Sequence, residues 1–305
     1  MTGQFRKITA MLICMLTVIG MCACGTVTVN VNTKNKADAA KTEDTAKAED
    51  TSKTEEAPAA EDTSKSDDTD VVEQFPQLVE EDYDLSRYDD NKQIYFESHG
   101  NAWTADEATA QKYPELAKAL NDINEAEKKD FTSTMDEYDA DARQFAKESG
   151  GEGGYSDYSN TGLCCVDFKV ASLLSVEFSF LGGAHPDTTY KVYNIDVSTG
   201  KLIPLSDVIK DQKGLNKILE EKLTSQYPDN QFFDIIGTLD AYDMSATASD
   251  DDKTAYSYTF SPNGLTFHFD PIELAPYVDG EEQIDLTYDD LESVLNEGYP
   301  YGDGK

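Results

Sequence analysis

The histidines of this chain are the side chains best suited to acid–base chemistry near neutral pH. They are His99, His185 and His268, and no two have the H-E-x-x-H spacing that places two metal ligands on one helix face. His185 follows Gly182 and Gly183, whose backbone can approach a ligand closely. Two interpretations of His185 stay open: a ligand-binding loop, or a turn in which the imidazole caps or packs.

The other candidates for chemistry are His268 and a pair of cysteines. His268 alternates with Phe267 and Phe269, so on a strand it points to the opposite face of the sheet, and we expect no catalytic role for it. Cys164 and Cys165 are adjacent, so on a strand their side chains point to opposite faces and a bond between them would be strained. We expect two thiols, with a vicinal disulfide or a redox switch as the alternatives.

The carboxylates are too numerous to reveal a catalytic pair. With 60 Asp and Glu residues, suitable pairs occur by chance. The run Asp250-Asp251-Asp252, near Asp240 and Asp243, lacks the spacing of an EF-hand loop, which favours a solvated acidic loop over a Ca²⁺ site. We therefore predict that the protein is not an enzyme and has no catalytic residue, metal site or cofactor.

The charge of the chain restricts its partners. Its 305 residues include 25 Lys and Arg against 60 Asp and Glu, a net charge of −35. No stretch clusters enough basic residues to hold a nucleic-acid backbone, which excludes nucleic acid as a partner. Residues 71–305 alone contain 17 basic and 48 acidic residues, a net charge of −31. Such a surface either attracts a cationic partner or serves only solubility and repulsion from an anionic envelope.

The first residues have the layout of an export signal. Arg6 and Lys7 form a short positive region, and residues 8–23 are almost entirely apolar. This stretch is shorter than the roughly 20 residues that span a bilayer. Cys24 with its neighbours resembles the lipobox of bacterial lipoproteins, and Cys22 is the alternative acylation site. An ordinary cleaved signal and an uncleaved anchor helix are the alternatives to lipidation. We predict a signal peptide over 1–23, lipidation of Cys24 and a position on the outer face of the cytoplasmic membrane.

The segment after this cysteine is predicted to be a disordered tether. Residues 26–70 contain no aromatic residue, no Leu and no Ile, and they repeat a short unit such as Glu43-Asp44-Thr45-Ala46-Lys47. A segment of this kind cannot bury enough apolar surface to offset chain entropy. We therefore assign residues 24–70 to the lipidated cysteine and an acidic spacer that holds a domain away from the membrane.

The elements that position the candidate residues follow this tether. Apolar residues at helical spacing from Leu116 to Phe145 predict one long or two consecutive amphipathic helices. Period-two alternation predicts strands around residues 166–170, 176–180, 193–197, 256–260, 265–269 and 284–286. We expect Ser206 to cap a helix over 215–223, and Thr287 with Asp290 to form a capping box. Hairpins punctuated by helices predict an α+β fold with a mainly antiparallel sheet.

Four motifs in this region resemble a known family. They are Phe180–Pro186, Tyr193–Ile209, Gly264–Pro271 and Glu273–Gly280. In this order they resemble the extracellular domain of RsiV-like anti-sigma factors. Tyr113-Pro114-Glu115-Leu116 resembles the segment that precedes this domain there and in PdaC-like peptidoglycan deacetylases. We therefore divide the folded region into a helical companion segment, 71–160, and an RsiV-like domain, 161–305.

The resemblance implies a binding domain that faces the cell envelope, in RsiV-like proteins a receptor for lysozyme. Only residues 1–7 precede the apolar stretch, too few to hold a sigma factor, so we expect no sigma-factor partner. The chain ends soon after the shared domain, so deacetylase activity is not expected either. The predicted partners are lysozyme or cell-wall glycan, and an envelope enzyme or accessory domain acting on peptidoglycan is the alternative.

The ligand is expected at two loops, Gly182–Asp187 and Pro271–Gly280, because both carry glycine, proline and a few polar groups on a rigid scaffold. The candidate binding residues are Gly182, Gly183, His185, Pro276 and Tyr277.

Overall fold

The computed structural model describes residues 74–150, 154–247 and 255–297. From Phe75 onward these residues belong to one compact unit. The predicted signal peptide, Cys24 and the predicted tether lie outside the described residues. Within the described ranges, no helix combines the length and the apolar character that crossing a bilayer requires.

Ten strands and six helices make up the described part of the chain. The strands are β1 (Leu78–Asp84), β2 (Arg87–Tyr88), β3 (Ile94–Glu97), β4 (His99–Ala105), β5 (Tyr155–Val166), β6 (Val170–Phe180), β7 (Asp187–Asp196), β8 (Tyr258–Ser261), β9 (Gly264–Phe269) and β10 (Glu282–Thr287). The helices are α1 (Glu107–Lys112), α2 (Pro114–Glu137), α3 (Asp139–Glu148), α4 (Gln212–Gln226), α5 (Ile235–Asp240) and α6 (Tyr288–Leu291). Short 3₁₀ turns lie at Leu205–Asp207 and Tyr277–Asp279.

The first sheet has the strand order β2-β3-β5-β6-β7, and all its pairs are antiparallel except β3 with β5. One face of its long strands is covered by α2, because Leu116 and Leu120 pack with Leu173 of β6 and Ile195 of β7. Strands β1 and β4 form a separate two-stranded sheet. The Asn101 side chain joins β4 to β5 by two 2.7 Å hydrogen bonds to the backbone of Thr161.

The second sheet has the order β10-β9-β8 and is antiparallel throughout. Alternation along β9 places Leu265 and Phe267 on one face, where they pack into a core with Leu219 and Leu223 of α4. The opposite face carries Thr266 and His268, so this sheet has one apolar and one polar face. The polar face is turned toward the first sheet.

Buried hydrogen bonds hold the two sheets together at β8. The Ser172 hydroxyl of β6 donates to Asn194 Oδ1 of β7 at 2.6 Å and accepts from the Phe260 backbone N–H at 2.9 Å. Asn194 Nδ2 also donates to the Tyr258 carbonyl at 2.7 Å. Because these groups are buried, each bond also avoids the cost of an unpaired polar atom.

The fold class predicted from the sequence is confirmed: the structure is α+β with mainly antiparallel sheets. The helical spacing from Leu116 to Phe145 corresponds to α2 and α3, and the Thr287–Asp290 capping box is present. The predicted boundary between residues 160 and 161 lies inside β5, and four strands precede the helices of the companion segment.

Two local predictions are wrong. Val166, Phe168 and Val170 do not share one strand, because the backbone N–H groups of Lys169 and Val170 donate to Asp167 Oδ1 and turn the chain there. Ser206 does not cap α4, since it lies in the 3₁₀ turn Leu205–Asp207. The cap is Asp211, whose side chain accepts from the Gly214 N–H at 3.1 Å.

Candidate functional site

The structure brings together the two loops that the sequence singled out. The imidazole of His185 stacks on the ring of Tyr277 with their centroids 4.4 Å apart. The Tyr277 hydroxyl donates to the Pro186 carbonyl at 3.2 Å, which ties one loop to the other. We name residues 182–187 and 271–280 together the loop surface.

Two of the three remaining predicted residues, Gly182 and Pro276, have structural reasons for their identity. Gly182 has φ +87°, and a Cβ there would press against the Tyr155 ring, so glycine is required by backbone and packing. Gly183 is exposed and has no such constraint. Pro276 precedes the 3₁₀ turn Tyr277–Asp279 with φ −59°, which proline adopts without strain.

The loop surface exposes apolar side chains beside carboxylates. Val278 is 85% exposed, Ile272 51% and Tyr277 42%. Residues 255–297 contain neither Lys nor Arg. An exposed apolar patch within an acidic surface is typical of an interaction site.

One residue of the loop surface has a strained backbone. Ile272 has φ +76°, a conformation that β-branched residues rarely adopt. The loop is fixed by half-buried neighbours: Asp270 N–H donates to Glu273 Oε2 at 2.6 Å, and Tyr190 N–H donates to Asp270 Oδ1 at 2.7 Å. Burial raises the pKa of Glu273 to about 7. Strain of this kind, held in place by its surroundings, is frequent at binding sites.

A second candidate site is a cleft of about 560 Å³ between the two sheets. Its floor is the polar face of the second sheet, including Thr259, Thr266, His268, Gln283 and Asp285, and its opposite wall comes from β5 and β6. Alternation in the sequence predicts that His268 lies on the face opposite the phenylalanines, and the structure confirms this. Alternation does not show that the first sheet lies across from this face, with a cleft between the two sheets.

His268 is neutral at physiological pH. It is 4% exposed, and burial lowers its pKa to about 4. Its Nε2 lies 3.0 Å from Thr259 Oγ1. The third member of a catalytic triad is missing from the described residues, because Asp285 Oδ1 accepts a hydrogen bond from Thr266 Oγ1 at 2.6 Å and makes none to His268. The Thr259–His268 pair can orient and bind a ligand hydroxyl.

The cysteines lie at an irregularity of β5. The register of β5 with β6 shifts between Leu163 and Cys165, which is typical of a β-bulge. Within the described residues neither cysteine forms a disulfide, and Cys164 lines the cleft.

A cluster of ionisable side chains lies between the first sheet and α2. The Lys191 ammonium is 2.7 Å from Glu177 Oε2, and the Tyr193 hydroxyl donates to Glu127 Oε1 at 3.0 Å. Burial, and after it the Glu177 carboxylate, raises the pKa of Asp157 to about 7. Burial also raises the pKa of Glu127. Across the described ranges, no group of three or more His, Cys, Asp or Glu side chains could hold a metal ion, and Asp250–Asp252 lie outside those ranges.

Comparison with known proteins finds a family model that matches part of the chain. Residues 206–289 match DUF3298, whose description is "Protein of unknown function". The structure resembles a DUF3298 family member from Bacteroides fragilis, with a TM-score of 0.52 and 15% identity over 73% of this chain and 94% of that one. A DUF3298 family protein from Pseudomonas aeruginosa has a TM-score of 0.43, again with 15% identity and the same coverage. No curated protein matches the chain. Residues 206–289 thus match DUF3298, within a fold shared with the Bacteroides protein.

Proposed function

We propose that this protein is an exported, lipid-anchored binding domain that captures a cationic protein through the loop surface. The observation that carries the proposal is the stack of His185 on Tyr277, which joins two loops into one exposed patch. Tyrosine and histidine at the centre of such a patch offer contact area at a small cost in side-chain entropy.

The charge of the protein supports a basic partner. Residues 271–280 of the loop surface lie within a stretch without Lys or Arg, residues 255–297, and residues 71–305 together carry −31. Complementary charge accelerates the encounter and makes it sensitive to salt. The exposed apolar groups Tyr277 and Val278 then supply the contacts that persist after the encounter.

Lysozyme is the cationic protein to test first, because the sequence motifs resemble the extracellular domain of RsiV-like proteins. Cys24 supports the anchor, since its surroundings resemble a lipobox. A role in binding alone agrees with His185, which is exposed in a loop and lies 3.8 Å from Asp187 rather than in a cleft with a buried carboxylate. Cell-wall glycan is the other envelope component that the same fold could bind.

The test is a calorimetric titration of lysozyme into the purified protein at low salt, with the variant Tyr277→Ala. We expect binding that Tyr277→Ala weakens at least about tenfold, a loss of about 1.4 kcal/mol. The matched control is Tyr88→Ala, because Tyr88 is 50% exposed on β2, at the opposite edge of the first sheet from β7. Binding that is undetectable at about 100 µM lysozyme, or that Tyr277→Ala leaves unchanged, contradicts the proposal.

A further inference from the structure

The polar face of the second sheet lies opposite another sheet, which is unusual for a polar face. Two sheets that pack against each other normally interdigitate apolar side chains and leave no room between them. Here Thr259, Thr266 and His268 are buried and turned toward the first sheet, and a cleft of about 560 Å³ separates the two surfaces. Clefts of this size are typical of small-molecule sites.

Several polar groups that line the cleft have no partner within the protein. The side-chain amides of Asn160 and Gln283 make no hydrogen bond to any residue that the structure describes. The same holds for Nδ1 of His268, because only Nε2 of this ring has a partner, Thr259. An amide offers both donors and an acceptor, and a neutral imidazole offers one ring nitrogen as donor and the other as acceptor. A ligand rich in hydroxyl groups would satisfy all three.

The charge of the cleft restricts its ligand. The residues that line the cleft all belong to the described part of the chain. Among them Asp285 is the one carboxylate, and none is Lys or Arg. This is notable in a chain of which 28% is charged. A phosphorylated or sulfated ligand would find no counter-charge here and would be repelled by Asp285. A neutral polar ligand would meet neither penalty.

The geometry also separates a carbohydrate from a peptide. Peptides in extended conformation add to the edge of a sheet, where backbone N–H and C=O groups are free. The cleft instead presents the faces of two sheets, which offer side chains. Recognition by hydroxyl, amide and imidazole side chains suits a ligand whose polar groups are spread around rings.

From these observations we infer that the cleft between the two sheets binds a neutral carbohydrate, an oligosaccharide of uncharged pyranose units, against Asn160, Gln283 and His268. This site is separate from the loop surface. The result of the carbohydrate test is therefore independent of the result for lysozyme binding.

The experiment titrates three tetrasaccharides into the full chain, followed by ligand-observed NMR. Two are neutral, the β-1,4-linked tetramers of N-acetylglucosamine and of glucose, and the third is the acidic hyaluronan tetrasaccharide. We expect at least one neutral tetramer to bind with a Kd of about 1 mM or tighter, and hyaluronan to bind at least about tenfold more weakly.

Variants locate the binding. Leu174→Trp places a large side chain in the cleft, and Asn160→Ala removes an exposed amide that the fold does not need. We expect each variant to weaken binding of the neutral sugar at least about fivefold, a loss of binding free energy on the order of 1 kcal/mol. Asn121→Ala, an exposed Asn on α2 over the other face of the first sheet, is the matched control and should bind like the wild type. The circular dichroism spectrum of each variant shows whether it folds.

The proposal is overturned if neither neutral tetramer binds at about 10 mM, or if hyaluronan binds as well as they do. It is also overturned if Asn160→Ala and a folded Leu174→Trp bind as tightly as the wild type. If Leu174→Trp does not fold, the affinities of Asn160→Ala and Asn121→Ala for the neutral sugar are compared. Equal affinities overturn the proposal.

Discussion

Replacing Asp157 with Asn should stabilise the protein, and the gain should grow as the pH rises from 5 to 8. Asp157 is 2% exposed on β5, and its Oδ1 has no hydrogen-bond partner in the part of the chain that the structure covers. Burial, followed by the Glu177 carboxylate, raises its pKa from 3.8 to about 7, although Lys191 opposes this shift. The charged groups that act on it are Glu177 of β6 and Lys191 of β7.

The size of the effect follows from the two pKa values. A carboxyl group whose pKa is higher in the folded state binds more protons there, so stability falls as the pH rises from the unfolded pKa to the folded one. Each pH unit in this window costs about 1.4 kcal/mol. Two such units separate pH 5 from the folded pKa of about 7. The gain from Asp157→Asn should therefore be larger at pH 8 than at pH 5 by about 2 to 3 kcal/mol.

The assay is urea unfolding of the wild type and Asp157→Asn at pH 5 and pH 8, followed by the fluorescence of the single tryptophan, Trp103. The matched control is Asp229→Asn, since Asp229 is exposed in the turn after α4. Asp229→Asn should change stability by less than about 0.5 kcal/mol at both pH values. An Asp157→Asn gain that is equal at the two pH values, or smaller at pH 8, would refute the reasoning.

Three further substitutions test the packing of the second sheet by urea unfolding. Gly264→Ala should destabilise the protein by about 2 kcal/mol or more, because the new Cβ would overlap the backbone oxygen of Leu286. An unchanged urea midpoint would show that β9 and β10 can separate at this position. Thr287→Ala should cost about 1 kcal/mol, since it removes the cap that accepts from Asp290 N–H, whereas Thr287→Ser should restore most of the loss. Phe267→Ala should lower the free energy of unfolding by about 3 to 5 kcal/mol, because the Phe267 side chain is fully buried. A loss below about 1 kcal/mol would mean that this core is loosely packed.

The elements that depend on local signals could be predicted from the sequence. Helices α2 and α3 follow the apolar spacing from Leu116 to Phe145, and the hairpin of β8 and β9 follows its alternation around Asn263-Gly264. The Thr287 capping box likewise needs only residues three apart. The two loops were found by their glycines and prolines, but their contact through His185 and Tyr277 depends on the packing of distant strands.

The features that depend on distant pairing could not be predicted. Strands β1 to β4 are short or polar, and β4 is fixed by the bonds of Asn101 to Thr161, 60 residues away. The turn at Asp167 interrupts an alternation that reads as one strand, because a side-chain acceptor competes with the ladder. The cleft around His268 cannot be predicted for a similar reason, since alternation assigns a residue to a face and does not show what lies opposite.

The central claim, that the loop surface is where this protein binds its partner, is tested most directly by hydrogen–deuterium exchange of the lysozyme complex. We predict that lysozyme slows exchange at the backbone amides of residues 183–187 and 272–280 and leaves exchange in β2 and α2 unchanged. Slower exchange confined to segments outside the loop surface, or no change at saturating lysozyme, would contradict it.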